Sequence, residues 1–452
     1  MTVDLLGGAD DAVALIDAAT DARVTYRALR ARAAALGAEL AAAAGPGGVC
    51  FAFVGNDRAS IELFVAALGA GVPIALFDRR LDPALAAALV AHYQPEVVRG
   101  LDLPAGGGGA PAHPQLALLL STSGTTGSRK LVRLGGAAVA ANARAIAAAL
   151  GLGPGEVAPT SLPVHYSYGL SVVTSHLVAG ATVLVTDDGL LGEGFWAACR
   201  RHGATSLAGV PYSYQVLARL DLAKLAPPSL RTLTQAGGAL APAQVRRFHD
   251  LAAARGGRLF VMYGQTEACA RIAVLPPAEL PARAGAVGRA VPGGAVRIEV
   301  DGRPAAPDEI GDVIYAGPNV MTGYAEARAD LARGDEQRGE LRTGDRGRLD
   351  ADGHLWIVGR SARLAKVFGV RVSLDELEAL AAAAVPAGAA VAAVADGDRV
   401  RLHVEGGGDA AALVAHLAAR TGLHPSGFAV TTAAHLPRLA SGKLDYRALE
   451  AP

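Results

Sequence analysis

Cysteine is scarce: Cys50, Cys199 and Cys269 are the only three in 452 residues. So few, so far apart, exclude a disulfide framework and a paired zinc site, and they fit a reducing cytoplasm. An excess of charge is missing as well. The chain has 42 basic and 42 acidic side chains and a formal net charge of zero. No global field therefore draws it to nucleic acid or to a membrane surface, and the main ligand expected is small. No long hydrophobic run occurs. The most apolar stretch, residues 63–77, contains Pro73 and is bounded by Glu62 and Asp78, too short to cross a bilayer. The first twelve residues hold Asp4, Asp10 and Asp11 and no basic side chain, which is not the pattern of a secretory signal.

What is present describes a folded, turn-rich chain. Apolar residues make up 51% and charged residues 19%, with 56 glycines and 25 prolines, a balance that predicts a packed interior between many tight turns. At about 150 residues per domain the length predicts two to three folding units. Between residues 25 and 262 helical and strand periods alternate: helices over 26–44, 59–68, 137–150 and 196–202, strands over 49–54, 72–77, 116–120, 181–185, 206–210 and 258–262. That rhythm predicts an α/β fold with parallel sheets covered on both faces by helices. Beyond Pro276 short β-like runs at 295–300, 312–315 and 354–358 are broken by glycine, predicting a β-rich subdomain over about 277–360 within a large N-terminal domain, 1–360. After Gly359-Arg360, helices near 374–384 and 409–419 and strands near 390–395, 399–403 and 429–432 predict a small α+β cap, 361–452.

The strand at 116–120 runs into Ser121-Thr122-Ser123-Gly124-Thr125-Thr126-Gly127-Ser128-Arg129-Lys130. Glycine lets backbone N–H groups approach an anion, hydroxyls add hydrogen bonds, and lysine adds charge. This is the composition of a phosphate cradle. The P-loop of kinases and GTPases needs glycine next to lysine, whereas two residues separate Gly127 from Lys130. The stretch is therefore a different nucleotide loop, the alternative being a plain surface loop.

The loop resembles the signature of the adenylate-forming superfamily of acyl-CoA synthetases, peptide-synthetase adenylation domains and luciferases. Other elements follow in that family's order: Leu162-Pro163-Val164-His165 with Gly169, Gly209-Val210-Pro211, Ala236-Gly237-Gly238-Ala239, and Tyr263-Gly264-Gln265-Thr266-Glu267. Then come Gly317-Pro318-Asn319-Val320-Met321 through Tyr324, Arg342-Thr343-Gly344-Asp345, Gly359-Arg360, Lys366 with Gly369, and Leu436-Pro437-Arg438 before Ser441-Gly442-Lys443. One such match is weak, but so many in order are hard to reach by chance.

The resemblance implies attack of a carboxylate on the α-phosphorus of ATP, giving an acyl-adenylate and pyrophosphate, then transfer to the thiol of coenzyme A or a phosphopantetheinyl carrier protein. Two anions must meet, so a cation is needed where they do, and the resemblance assigns Lys443. It places magnesium on Thr126 and Glu267, and the ribose on Asp345 with Arg360 nearby. Adenine lies between Tyr263 and Ile357, and the backbone of Gly237, Gly238 and Ala239 lies against the base and the acyl group. Thr122, Ser123, Gly124, Thr125, Thr126, Gly127 and Lys130, with Gly264, Gln265 and Thr266, complete the nucleotide set. His165 is the gate between the acid pocket and the thiol tunnel. That pocket also takes Tyr166, Tyr168, Gly169, Tyr212, Gly237 and Gly264. Ala362 falls at the hinge of a mobile cap, whose rotation exchanges Lys443 for the segment from Lys366 to Gly369.

Some positions depart from the family pattern. Arg129 and Leu131 replace the proline and glycine that flank the loop lysine, Leu439 replaces a threonine, and Ala362 replaces a polar hinge residue. No acid stands at His165-Tyr166 to pair an ammonium, so the expected substrate is not a free α-amino acid. Tyr166, Tyr168 and Tyr212 suit a small aromatic or short functionalised acid. No carrier domain is recognisable, so a stand-alone ligase is expected. Alternatives are transfer to an amine, a noncatalytic acyl- or nucleotide-binding relative, and a serine hydrolase centred on Ser167. The last lacks the first glycine of the G-x-S-x-G elbow.

Overall fold

The computed structural model describes residues 2–107, 109–121, 130–220, 222–360, 363–367, 370–386, 388–421, 423–439 and 442–450. Its helices start and stop where local chemistry directs. Tyr26–Ala44 begins at Thr25, whose hydroxyl accepts from the Ala28 N–H at 3.2 Å, and ends at Gly45 with φ 67°. Arg58–Ala70 begins at Asp57, which accepts from Ser60 N–H at 2.8 Å, and ends at left-handed Gly71.

The chain divides into two compact units, Met1–Ala295 with Tyr315–Leu341, and Val296–Ile314 with Arg342–Pro452. In the first, a six-stranded sheet runs in the order Gly323–Ala325, Leu131–Gly135, Leu116–Ser121, Ile74–Asp78, Cys50–Val54, Val97–Arg99. Its four strands from Leu116–Ser121 to Val97–Arg99 are parallel, whereas Leu131–Gly135 and Gly323–Ala325 pair antiparallel at one side. Every residue of Cys50–Val54 is buried, as a parallel strand covered on both faces requires. A five-stranded sheet has the parallel strands Ser206–Gly209, Thr232–Gln235 and Arg258–Tyr263, then antiparallel Ala273–Leu275 and Arg289–Ala290. A four-stranded sheet joins Arg23–Thr25, Val13–Asp17, Thr182–Val185 and Val157–Pro159. The expected parallel sheets thus carry antiparallel edges, because short returns such as Arg258–Tyr263 to Ala273–Leu275 leave no room for a crossover helix.

In the second unit, a five-stranded sheet ends in the antiparallel pair Glu340–Leu349 and Leu355–Arg360. A hairpin, Leu364–Val367 with Val370–Ser373, and a three-stranded sheet, Val391–Asp396, Arg399–Glu405 and Phe428–Ala433, pack with the helices Leu374–Ala382 and Ala410–Thr421. Among the described residues no helix is long and apolar enough to cross a membrane.

Candidate active site

Strand Arg258–Tyr263 delivers its C-terminal end into a tight turn, residues 264–271, that carries Glu267. Cys269 and Ala270 both sit at positive φ, 52° and 104°, a conformation costly for residues with a Cβ. The turn is held against that cost. Asn319 donates from Nδ2 to the carbonyls of Ala268 and Arg271, each at 2.8 Å. Asn142 donates to the Arg271 carbonyl at 3.1 Å, and Tyr315 donates to Asn319 Oδ1 at 2.6 Å. Gly264 is required here, since a Cβ would fall 1.9 Å from the Ala270 carbonyl oxygen.

The turn brings Glu267 to Tyr324, whose hydroxyl donates to Oε1 at 2.9 Å. Burial, and then the adjacent carboxylate, push the Tyr324 phenol well above its ordinary pKa, so it remains a donor. Lys130 lies with Nζ 3.7 Å from the Tyr324 ring centroid, a cation–π contact, and 4.0 Å from Glu326. Tyr324 is itself fixed through Arg133, a fully buried arginine on Leu131–Gly135. Arg133 donates to the Tyr324 carbonyl at 3.0 Å and pairs with Glu336 at 2.6 Å.

Strand Thr232–Gln235 leads to Gly237, at φ 85°, and Gly238, whose carbonyl accepts from Gln235 Nε2 at 2.8 Å. Ala239 is exposed beside them. His165 stands before the helix Ser167–Val178, its Nε2 3.8 Å from Asp78 Oδ2 and its buried Nδ1 without a hydrogen-bond partner among the described residues. Burial lowers its pKa despite Asp78, and Arg80 lowers it further. Asp78 is an acid that the sequence around His165 did not reveal. Tyr166 and Tyr168 are buried, and Tyr168 donates to the Thr234 carbonyl at 3.0 Å. Gly169 has no room for a Cβ, which would lie 2.1 Å from the Pro163 carbonyl oxygen. Tyr212 is the outlier, exposed on Pro211–Arg219. Ser167 receives a hydrogen bond from Thr266 Oγ1 at 3.1 Å, while His165 faces Asp78; that arrangement does not favour a serine nucleophile.

Arg271 is the residue that sequence reading overlooked. It lies two places before the apolar strand Ala273–Leu275, yet its side chain is 1% exposed and stacks on Tyr168, 4.7 Å from the ring centroid. The signal available was a lone charge in the run Ala270-Arg271-Ile272-Ala273-Val274-Leu275.

In the second unit Asp345 pairs in register with Arg360, which donates from Nε to Oδ1 at 3.1 Å; the acid is 5% exposed. Ile357, half-buried, lies on the same strand opposite Gly347. Lys443 sits on a turn closed by Gly442 N–H to the Leu439 carbonyl and Leu439 N–H to the Lys443 carbonyl, both at 2.8 Å. Arg438 ties that turn to Glu405 at 3.2 Å. Lys366 stands on Leu364–Val367 opposite Arg371. Thr122, Ser123, Gly124, Thr125, Thr126, Gly127, Arg129, Ala362, Gly369 and Ser441 lie outside the described residues.

The AMP-binding enzyme family matches residues 106–325. A sulfoacetate–CoA ligase of Cupriavidus necator is 29% identical over 393 residues, covering 78% of this chain and 76% of that protein. An indoleacetate–CoA ligase of Aromatoleum aromaticum is 32% identical over 274 residues, 59% of this chain but only 52% of that protein. Among solved structures, the O-succinylbenzoate coenzyme A synthetase of Bacillus subtilis with ATP and magnesium superposes with a TM-score of 0.79 at 23% identity, covering 98% of this chain and 97% of that one. The amide bond synthetase McbA of Marinactinospora thermotolerans gives 0.77 at 26% identity over 98% and 97%.

Proposed function

We propose that the chain is an adenylate-forming, AMP-binding enzyme that activates a carboxylic acid with ATP and passes the acyl group to a thiol, that of coenzyme A. A carboxylate oxygen bonds to the α-phosphorus and the bond to pyrophosphate breaks, pyrophosphate leaving with the electron pair. The thiol sulfur then attacks the acyl carbon and AMP departs. The observation that carries this reading is the assembly at Glu267, a carboxylate fixed by Tyr324 beside Lys130. A carboxylate on a braced turn suits a hard cation; Glu267 and Thr126 would hold a magnesium ion, which would supply positive charge toward the phosphates. Asp345, buried and partnered by Arg360, suits a ribose, since one carboxylate accepts from two hydroxyls. Lys443 supplies positive charge where the two anions meet.

His165 acts as gate, neutral because burial opposes its protonation. Rotation of the 361–452 cap about residues 359–363 replaces Lys443 by the segment from Lys366 to Gly369, so one site serves both half-reactions. A carrier-protein phosphopantetheine offers the same thiol as coenzyme A. A second reading, transfer to an amine, draws on the likeness to amide bond synthetase McbA and on the changed residues Arg129, Leu131, Ala362 and Leu439. Acid-dependent pyrophosphate release, measured over a panel of acids with coenzyme A, an amine or neither, tests both. Release with no acid at all would sink the activation step; acylation of the amine but never the thiol would select the second reading.

A further inference from the structure

Glu405 is a buried carboxylate to which the reaction described above gives no work. It is the last residue of the strand Arg399–Glu405 and is 8% exposed. Burying a carboxylate is costly unless charged or hydrogen-bonding partners offset it. Here they come from one segment, residues 435–438. Oε2 accepts from the Leu436 N–H at 3.3 Å and from Arg438 Nη2 at 3.2 Å, and Oε1 faces His435 Nδ1 at 3.9 Å. A buried ion pair adds little to stability by itself, so its use lies in what it holds in place.

What it holds is the turn of Lys443. Arg438 gives its other terminal nitrogen, Nη1, to the carbonyl of Gly442 at 3.4 Å, the residue before Lys443. Arg438 and Leu444 face each other across the turn as an antiparallel bridge, and Gly442 stands at φ 79°. Leu436 and Leu444 pack with Ala392 and Val394, which seats the base of the turn on the strand Val391–Asp396. The tip is left to Arg438 and the two backbone bonds between Leu439, Gly442 and Lys443. A lysine side chain is long and flexible, so the backbone that carries it decides where its charge can reach, and a misplacement of about 1 Å can cost about 100-fold in rate. We infer that Glu405 is a positioning residue for Lys443, acting through Arg438 to fix the turn from which the lysine projects. The inference rests on the adenylation reading. In that reading Lys443 serves activation of the acid and the segment from Lys366 to Gly369 serves transfer, so a defect at Glu405 falls on the first half-reaction.

The test uses the full chain as wild type, E405A, E405Q, R438M, K443A and the double variant E405A/K443A, each checked for folding by its melting temperature. One readout needs no substrate: hydrogen–deuterium exchange at the Leu439 and Gly442 amides, which do not touch Glu405, should be about tenfold faster in E405A and R438M, the weight of one hydrogen bond to a charged group. The amides of Val391–Asp396 should keep their rates. Pyrophosphate exchange, with whichever of acetate, succinate, benzoate and indoleacetate the wild type activates fastest, should fall about 30-fold in E405A. E405Q, which keeps an acceptor for Leu436 and Arg438, should recover part of that loss. Single-turnover transfer from the synthetic adenylate of the same acid to coenzyme A should stay within about twofold of the wild type. E405A should add no further loss to K443A, because both act through one lysine. Equal losses in both half-reactions, a full additional loss in the double variant, or unmoved Leu439 and Gly442 amides would overturn the inference and leave adenylation standing. Should E405A not fold, E405Q and R438M decide by the same comparisons. No pyrophosphate exchange with any acid in the wild type would overturn adenylation, and this inference with it.

Discussion

At the scale of single residues, chemistry concentrates on a few charged groups whose neighbours fix their state. Lys443→Ala should lower acid-dependent pyrophosphate exchange by about two orders of magnitude or more, the scale of removing a preorganised charge from a transition state; near wild-type exchange in a folded variant would remove Lys443 from the chemistry. Glu267→Gln should raise the magnesium concentration needed for half-maximal exchange. Tyr324→Phe should do the same by about fivefold, because it removes one hydrogen bond to a charged group and leaves the carboxylate itself in place. A magnesium titration unmoved by both changes would take Glu267 out of the metal site. Motif residues such as Glu267 and Asp345 stand out as candidates in the sequence because their order along the chain is distinctive. Arg271 and Asp78 were not. Each acquires meaning only from partners distant in sequence, Arg271 from Tyr168 and Asp78 from His165.

At the scale of elements, periodicity and end signals proved informative: the helix expected over 26–44 is Tyr26–Ala44, and the strand expected over 295–300 is Ala295–Val300. Apolar spacing and a capping threonine are local properties, so a single sequence carries them. The turn at 264–271 is the opposite case, since its strain is balanced by Asn319 and Asn142 from remote segments. Asn319→Ala should lower stability by about 2–3 kcal/mol, the range for stranding buried polar groups, and should reduce exchange beyond what the loss of folded protein explains. Equal losses of folded protein and exchange would show that the turn tolerates relaxation. The segment around Ser167–Val178 also predicts a pH response. Burial holds His165 and His176 below the ordinary histidine pKa in the folded chain. Below about pH 6.5 the unfolded chain binds protons that the folded one refuses. Stability from this source is therefore full above that pH and falls as the pH drops through it. Urea midpoints between pH 8 and 5 should decline for the wild type and less for H176Q.

At the scale of the whole molecule, the cap rotation proposed above has to contend with the contacts that hold residues 360 and 363. The Arg360 N–H donates to Asp375 Oδ2 at 2.7 Å, and Arg363 pairs with both Asp375 and Glu378. A swivel at 359–363 cannot keep these contacts equally in two orientations. Asp375→Ala should therefore change the ratio of the two half-reactions by about tenfold, the weight of one such charge-assisted contact, while the adenylate still forms. Single-turnover measurement of each half-reaction decides it, and an unchanged ratio would place the swivel elsewhere. Arg133 bears on a different event, the making of the protein. Its buried guanidinium is satisfied by Thr322 and Glu336, 189 and 203 residues further along, and Gly323–Ala325 completes the edge of the sheet beside it. During synthesis the strand Leu131–Gly135 leaves the ribosome long before either partner exists. A nascent chain halted short of Glu336 holds a sheet with an open edge and an unmatched charge, so nucleotide binding should arise late in translation, and that open edge is where a waiting chaperone would have most to cover.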